Sequence, residues 1–483
     1  MIRAGAIGYI LGQFLAVLGI TMLLPLILAL RDADAGQWPL AAGMGVTLAA
    51  GAVLVGGCTR PSRDLSTREA ILLVSVVWAC AGLFGGIPFW LSPYFPSFTD
   101  AVFEAASGFT TTGATVLPQV EVLPRSLQLW RHFTHWLGGM GIVLLGLAVL
   151  PLIGIGGAHL YRAEFSGAKS EKLRPRITET AFALWRIYFV LSLLEFLLLR
   201  LAGLSRFEAV CHTFSTLGTG GFSTRNASIA GFRSPLIETI VIVFMLLSGI
   251  SFARHYQLWI ERRGRMFFAD AEIRGFLALV AVATLAIGLT LTLQGETAPG
   301  EAFRAALFQV SSITTTTGFV TADFERWHPL PQLILLALMF AGGCTGSTAG
   351  GLKVFRLMLL AQVVRREFRR MTERHGVFAI RVGGQVIPET AVQGVLNLVY
   401  LAFLVNFVAC LLLAAAGVDV LTTISAVAAS MFNIGPGLGA VGPAEHYGHL
   451  PALAKWVLTG CMIAGRLEFY TLLVLLSRSF WAR

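Results

Sequence analysis

The chain has 483 residues, of which 56% are hydrophobic and only 13% charged, and its mean hydropathy is +0.75. Ordinary soluble domains carry about a quarter charged residues, so a chain this apolar could not cover its core in water and reads as a polytopic membrane protein. The net charge of +10 sits in patches between apolar runs, which is not a nucleic-acid signal.

A helix needs roughly 20 apolar residues to cross the hydrocarbon core. Ten candidate spans occur, at approximately 7–30, 39–57, 69–91, 127–151, 179–202, 235–258, 273–295, 331–362, 391–416 and 451–477. The first apolar run, Gly5 to Leu30, is long enough to stay in the membrane, which argues against a cleavable signal peptide. Four shorter apolar pieces, near 99–111, 205–217, 301–314 and 420–433, are too short to span. Each of them ends in a glycine- and threonine-rich loop.

Those loops read SGFTTTGATV, STLGTGGFST, SITTTTGFVT and MFNIGPGLGA, with central glycines Gly113, Gly221, Gly318 and Gly435. The intervals are 108 (221−113), 97 (318−221) and 117 (435−318) residues. Ser107, Ser215 and Ser312 each stand six residues before their glycine. In the fourth loop Ser430 stands five before Gly435 and seven before Gly437, so either glycine is a candidate counterpart. Gly435 is preferred, with Asn433 and Ile434 preceding it. The chain thus divides into a leading helix pair (1–60) and four units of span, short helix, loop and span (61–160, 161–265, 266–375 and 376–483). A duplicated bundle without a pore would show the same repeat. Irregular backbone at membrane depth is tolerated, however, only when buried in protein or lining a watery cavity.

A monovalent cation sheds its water only for oxygens of similar strength, and rings of neutral backbone carbonyls supply them. Turning carbonyls inward needs dihedrals that glycine adopts without a Cβ penalty. The short helices end at the loops, so the negative ends of their dipoles face the ion. The candidate cation ligands are Thr111, Thr112 and Gly113; Thr219, Gly220 and Gly221; Thr316, Thr317 and Gly318; and Asn433, Ile434 and Gly435. No loop core contains a carboxylate, which points to selection by carbonyl geometry.

Basic residues set the orientation. Arg60, Arg63 and Arg68 share one connection; Arg162, Lys169, Lys172, Arg174 and Arg176 a second; Arg262, Arg263 and Arg265 a third; and Arg365, Arg366, Arg369, Arg370, Arg374 and Arg381 a fourth. With ten spans, all four connections and both termini fall on one side, expected to be cytoplasmic. The fourth cluster is either a membrane anchor or a docking surface for an acidic or regulatory cytosolic partner.

Within the run 331–362, residues 341–351 carry Gly342, Gly343, Gly346, Gly350 and Gly351 among Thr345, Ser347 and Thr348. Each interior glycine costs a helix roughly 1 kcal/mol relative to alanine. One reading is close helix packing through small residues; the other is an unwound intramembrane loop beneath the four Gly/Thr loops that must move before ions pass. Lys353 follows the stretch, and Arg466 lies in the last span, where an ionisable group is expensive and usually faces a cavity or partner. Arg466 either holds the freed carbonyls of this loop and repels cations, or pairs locally with Glu468 or snorkels.

Other patterns point less far. Gly437, Gly439 and Gly442 satisfy a dinucleotide fingerprint without the strand and helix it needs, and GSTAGGLK lacks phosphate-loop spacing. His132 and His135 have no third metal ligand nearby, which favours interfacial packing. Glu104 and Glu208 either add negative potential at the outer mouth or hydrogen-bond locally. Cys58, Cys80, Cys211, Cys344, Cys410 and Cys461 show no CxxC or metal spacing and read as small apolar residues.

The strings TTTGAT (110–115), GTGGFST (218–224), TTTTGF (314–319), NIGPGLG (433–439) and, more specifically, AGGCTGSTAGGLK (341–353) resemble the Trk/Ktr/HKT superfamily of potassium transporters, most closely its TrkH/TrkG branch. The resemblance covers essentially the whole chain. It implies an all-α integral membrane protein with four pore helices around a pseudo-fourfold pore, forming a dimer on a cytosolic nucleotide-binding regulatory ring of the TrkA type. It also supports a gate at 341–351. In plant relatives a serine in place of the first filter glycine accompanies sodium permeation; Gly113 here favours potassium.

The expected function is potassium uptake across the bacterial inner membrane, with K+ as the transported ion, lipid as a partner, and no organic cofactor or nucleic acid. The alternatives are a sodium-permeable or sodium-coupled transporter, and a polytopic intramembrane enzyme. The last would need convergent His, Asp or Glu residues within spans, and no such set is found.

Overall fold

The computed structural model describes residues 2–61, 65–148, 177–295, 298–373 and 376–482. The basic positions Arg63, Arg162, Lys169, Lys172, Arg174, Arg176 and Arg374, and the end of the span expected at 127–151, lie outside the described residues. The helices run α1 (Ala4–Thr21), α2 (Leu23–Asp32), α3 (Gln37–Gly57), α4 (Thr67–Trp90), α5 (Phe98–Phe109), α6 (Arg125–Ala148) and α7 (Ile177–Leu201). They continue with α8 (Arg206–Leu217), α9 (Pro235–Ser248), α10 (Phe252–Trp259), α11 (Gly264–Ala269), α12 (Ala271–Leu293), α13 (Pro299–Thr314) and α14 (Pro329–Leu338). The last are α15 (Val354–Thr372), α16 (Glu389–Ala415), α17 (Val420–Met431), α18 (Ala452–Arg466), α19 (Tyr470–Leu473) and α20 (Arg478–Trp481). A two-residue hairpin, Arg381–Val382 with Gln385–Val386, is an addition to the all-helical expectation.

Polar caps fix where helices begin. Ser66 and Glu69 form a capping box on α4, as do Ser205 and Glu208 on α8. Asp270 caps α12 and Asp419 caps α17, while Pro occupies the first turn of α9, α13 and α14. Each cap contributes about 1 kcal/mol.

The four short apolar pieces become α5, α8, α13 and α17. Every residue of α5 from Asp100 to Phe109 is buried, while the longer helices turn Phe182, Val282, Tyr400 and Phe407 outward. Apolar side chains outside and polar loops inside is the arrangement that a hydrocarbon solvent permits. Small residues bring helices together: a Cβ on Gly12 would come within 2.8 Å of the Gly51 carbonyl, and one on Gly51 within 2.9 Å of the Gly12 carbonyl.

Among the described residues, six helical segments are long and apolar enough to cross a membrane, or eight if each bent pair counts as one. Two expected straight spans are broken. The run 235–258 bends by 99° between α9 and α10, and the run 451–477 bends by 113° after α18. At the first break the Gly249 carbonyl accepts from Cys344 N–H (2.8 Å) and Phe252 N–H donates to Gly346 (3.1 Å), so residues of 341–352 replace the lost helical bonds. At the second, Glu468 (φ 55°) and Phe469 (φ 58°) are both left-handed. The run 331–362 is helical to Leu338 and again from Val354, with an irregular segment between.

Both the first helix and the last residues reach the start of α4. Arg3 pairs with Glu69 at 2.8 Å, and Arg68 Nη1 donates to the Ala482 carbonyl at 2.7 Å. The start of α1, the start of α4 and the C-terminal residues therefore share one end of the bundle.

Candidate functional site

One hydrogen-bond pattern recurs where α5, α8, α13 and α17 run into their loops. The N–H groups of Thr112, Gly220, Thr317 and Ile434 donate to the carbonyls of Ser107, Ser215, Ser312 and Ala429, all at 2.8 Å. The preceding residues Thr111, Thr219, Thr316 and Asn433 are all left-handed, with φ of 55°, 55°, 56° and 57°. Two positions later come Gly113, Gly221, Gly318 and Gly435, with φ of 82°, 78°, 80° and 100°. The fourth loop therefore aligns without a gap, and the counterpart of Ser107 is Ala429 rather than Ser430. The bond that sets the register uses a backbone carbonyl, so it does not require a serine at that position. Gly437 instead donates to the Val441 carbonyl (2.7 Å) and packs against Ser425.

The four loops close on one another in sequence order. A Cβ on Gly113 would overlap the Gly220 carbonyl oxygen, one on Gly221 that of Thr317, and one on Gly318 that of Ile434. A Cβ on Gly435 would meet the Thr112 oxygen at 2.7 Å, which completes the circuit. Glycine is required here by positive φ and by close approach together. All four glycines line one cavity of about 110 Å³, walled also by Arg131, Ser223, Asn226 and Tyr447. The carbonyl oxygens of Thr112, Gly220, Thr317 and Ile434 thus sit at the four glycine junctions, and neutral carbonyls in a ring are the ligands that a dehydrated monovalent cation requires.

The segment 341–352 lies directly against this ring. Gly350 N–H donates to Thr316 Oγ1 at 2.6 Å, and a Cβ on Gly350 would overlap the Phe432 carbonyl. Ala341 and Leu352 pair as a single parallel bridge, and Gly346 (φ 77°) and Gly351 (φ 68°) make the turns. Gly342 and Gly343 approach backbone so closely that neither has room for a side chain. Ser347 Oγ donates to the Cys344 carbonyl at 2.6 Å, and Lys353 Nζ to that of Ala349. Arg466, buried, donates to the carbonyls of Thr348 (2.9 Å) and Gly138 (3.3 Å). Glu468 pairs not with Arg466 but with Arg356, at 2.8 Å.

Residues 39–482 match the family described as TrkH, cation transport protein. The Trk system potassium uptake protein TrkH of Halomonas elongata is 41% identical over 479 residues, covering 98% of each chain. That of Escherichia coli K12 is 39% identical over 482 residues, covering 99% of each. The crystal structure of the potassium transporter TrkH from Vibrio parahaemolyticus superposes with a TM-score of 0.91 at 39% identity over the whole of both chains. The chain belongs to the TrkH family. Its relatives are transport proteins, so the family is one of transporters and not of enzymes.

Around the ring of this TrkH-family protein, Glu104 and Glu208 take the local one of their two expected roles, while the histidines depart from expectation. Glu104 is a local partner: it accepts from Thr115 Oγ1 and Val116 N–H (both 2.9 Å) and pairs with buried Arg131 at 2.5 Å. Glu208 completes the cap of α8 and pairs with Arg225 at 2.7 Å. His132 and His135 are fully buried rather than interfacial, and their Nδ1 atoms lie 2.7 and 3.2 Å from Ser215 Oγ behind the second loop. Arg366 of the basic cluster is tied to Glu389 at 2.6 Å. All six cysteines are free.

Arg131, Glu272 and Tyr447 escaped the sequence reading. Tyr447 donates its hydroxyl to the Gly435 carbonyl (2.7 Å) and its N–H to that of Thr115 (2.8 Å), from a loop without any motif. Glu272, at the start of a span, accepts from Thr345 N–H (2.7 Å), Thr345 Oγ1 (3.0 Å) and Phe355 N–H (3.2 Å). Arg131 did carry a signal: it is an ionisable residue inside an expected span, the criterion that singled out Arg466.

Proposed function

We propose that this protein takes up potassium across the cytoplasmic membrane through a carbonyl filter formed by Thr111–Gly113, Thr219–Gly221, Thr316–Gly318 and Asn433–Gly435. The observation that carries the reading is the closed circuit in which each loop's glycine abuts the carbonyl of the next loop. A pseudo-fourfold axis through that circuit is the ion path. Its relatives named as potassium uptake proteins, and Gly113 at the first filter position, support potassium as the ion.

Ten spans fit this reading when α1–α2, α3, α4, α6, α7, α9–α10, α12, α14–α15, α16 and α18–α19 each cross once. The division into a leading pair and four repeats follows, with both termini cytoplasmic. Residues 341–351 act as the gate: Gly342, Gly343, Gly346, Ser347, Gly350 and Gly351 form an irregular segment across the path, Lys353 follows it, and Arg466 holds it. The gate opens under control of a cytosolic nucleotide-binding subunit, and two copies of the chain assemble on it. The "Trk system" in the relatives' names is consistent with such a multi-component assembly.

Cation-resolved flux in proteoliposomes, comparing wild type with Gly113→Ser, tests the filter. Wild type is expected to carry K+ and Rb+ well above Na+, and Gly113→Ser to admit Na+. Absent K+ and Rb+ flux, or a ratio indifferent to the substitution, overturns the reading; a wild type that carries Na+ as readily as K+ replaces it with a sodium-permeable one.

A further inference from the structure

Each loop is anchored on its inner limb by the helix carbonyl bond described above. Its outer limb, two to four residues past the glycine, is held by a side chain. The position nine residues before the glycine is Glu104, His212, Gln309 and Ala426 (113−9, 221−9, 318−9, 435−9). Glu104 takes Thr115 and Val116 of its own loop, as given above. His212 Nε2 lies 3.0 Å from Ser223 Oγ. Gln309, with its amide oriented to satisfy both groups, accepts from the N–H of Thr321 (2.8 Å) and Ala322 (3.2 Å). Ala426 has nothing to offer, and its neighbour Ser425 substitutes: its Oγ accepts from Leu438 N–H (2.9 Å) and donates to the Leu438 carbonyl (2.7 Å). A carboxylate, an imidazole and an amide at one register, and a hydroxyl one residue earlier in the fourth unit, thus do one task.

Loop 1 carries an extra element. Arg131 bonds Glu104 through Nε at 2.5 Å, donates from Nη1 to the Ser223 carbonyl at 3.2 Å, and lies with its guanidinium carbon 3.4 Å over the Phe222 ring. Glu104 is bonded into loop 1, whereas Ser223 and Phe222 immediately follow the glycine of loop 2. The pair therefore spans the junction where Gly113 meets the Gly220 carbonyl. Both side chains are almost completely buried, so the pair is worth most intact and leaves an uncompensated charge when broken.

We propose that Glu104, His212, Gln309 and Ser425 are positioning residues that fix the carbonyl ring from outside, and that the Glu104–Arg131 pair locks loop 1 to loop 2 and so sets cation preference. The inference rests on the filter reading above. Side chains that never touch the ion decide how far the carbonyls yield, and a ring that yields accepts the smaller cation. Arg131 also lines the cavity shared by the four glycines. Neutralising Glu104 exposes the ion path to a positive charge, while changing Gln309 alters geometry alone.

The test is K+ and Na+ flux in proteoliposomes of the full chain, for Glu104→Gln, Gln309→Met and Gly113→Ser. Glu104→Gln is expected to lower K+ flux and the K+/Na+ ratio by roughly tenfold, the scale of one charge-assisted hydrogen bond. Gln309→Met is expected to lower the ratio several-fold with a smaller loss of flux. If both retain the wild-type ratio while Gly113→Ser shifts it, the positioning role is overturned and the filter stands. If Gly113→Ser leaves the ratio unchanged, the filter reading falls and this inference with it. Should Glu104→Gln fail to reach the membrane, Gln309→Met decides alone.

Discussion

Arg466 donates from Nη1 to the carbonyl oxygen of Thr348 at 2.9 Å, from the end of α18 into the middle of the glycine-rich segment 341–352. Its second donor reaches the Gly138 carbonyl of α6 at 3.3 Å, so one buried guanidinium joins three parts of the chain beneath the ring. A carbonyl released from helical bonding and buried must find a donor, and here a charged side chain supplies it.

Arg466→Ala removes both bonds and the positive charge. Thr348 then loses its charged donor, worth about 1.5–3 kcal/mol, and the proposed ion path loses a group that would repel cations. Basal K+ flux in proteoliposomes is expected to rise at least several-fold. Flux equal to or below wild type in protein of normal abundance would show that Arg466 does not hold the segment closed.

Gly318→Ala tests the ring itself. An alanine at φ 80° carries the roughly 1–2 kcal/mol cost of a left-handed residue, and its Cβ overlaps the Ile434 carbonyl oxygen. The strain falls on the junction with the fourth loop, at Ile434 and Pro436, while the Thr317 N–H bond to the Ser312 carbonyl is not removed. K+ flux is expected to fall more than about tenfold while membrane abundance stays near wild type. Normal flux would mean that the carbonyls at this junction do not contact the ion.

Glu272 holds the same segment at Thr345 and the start of α15 at Phe355. Glu272→Ala leaves two backbone N–H groups without their acceptor, at about 1–3 kcal/mol each. Amide hydrogen exchange over 342–353 is expected to quicken in this variant, and basal flux to rise less than in Arg466→Ala. An unchanged exchange rate would remove Glu272 from any role in holding the segment.

The sequence revealed most where it repeats. Four short helices and their loops could be placed because hydrophobic runs too short to span stop at the same Gly/Thr pattern, and 341–351 stood out because glycines interrupt a span. The fourth register was obscure because the expected anchor was a serine, whereas the bond uses a carbonyl that Ala429 provides equally well. The outer-limb grips were hidden for a related reason: Glu104, His212, Gln309 and Ser425 share geometry but no chemistry. Breaks at Gly249 and at Glu468–Phe469 were also invisible, since apolar runs continue through both. Tertiary bonds from a distant segment, not local propensity, stabilise the first break.

Asp100 and Lys455 form a second buried ion pair, at 2.5 Å with each side chain only 7% exposed. Asp100 sits in the first turn of α5, and Lys455 also donates to the Gly448 carbonyl at 2.7 Å. Gly448 adjoins Tyr447, whose hydroxyl holds the Gly435 carbonyl. The pair therefore links the start of the first short helix to the support of the fourth loop. Asp100→Asn keeps the shape but leaves a buried ammonium with no counter-charge, which costs about 3–5 kcal/mol. Thermal stability of the detergent-solubilised protein is expected to drop clearly in this variant. The double substitution Asp100→Asn with Lys455→Met is expected to recover most of the loss, because it removes the stranded charge. A single variant as stable as wild type, or a double variant no better than the single, would show that the pair does not act as a unit.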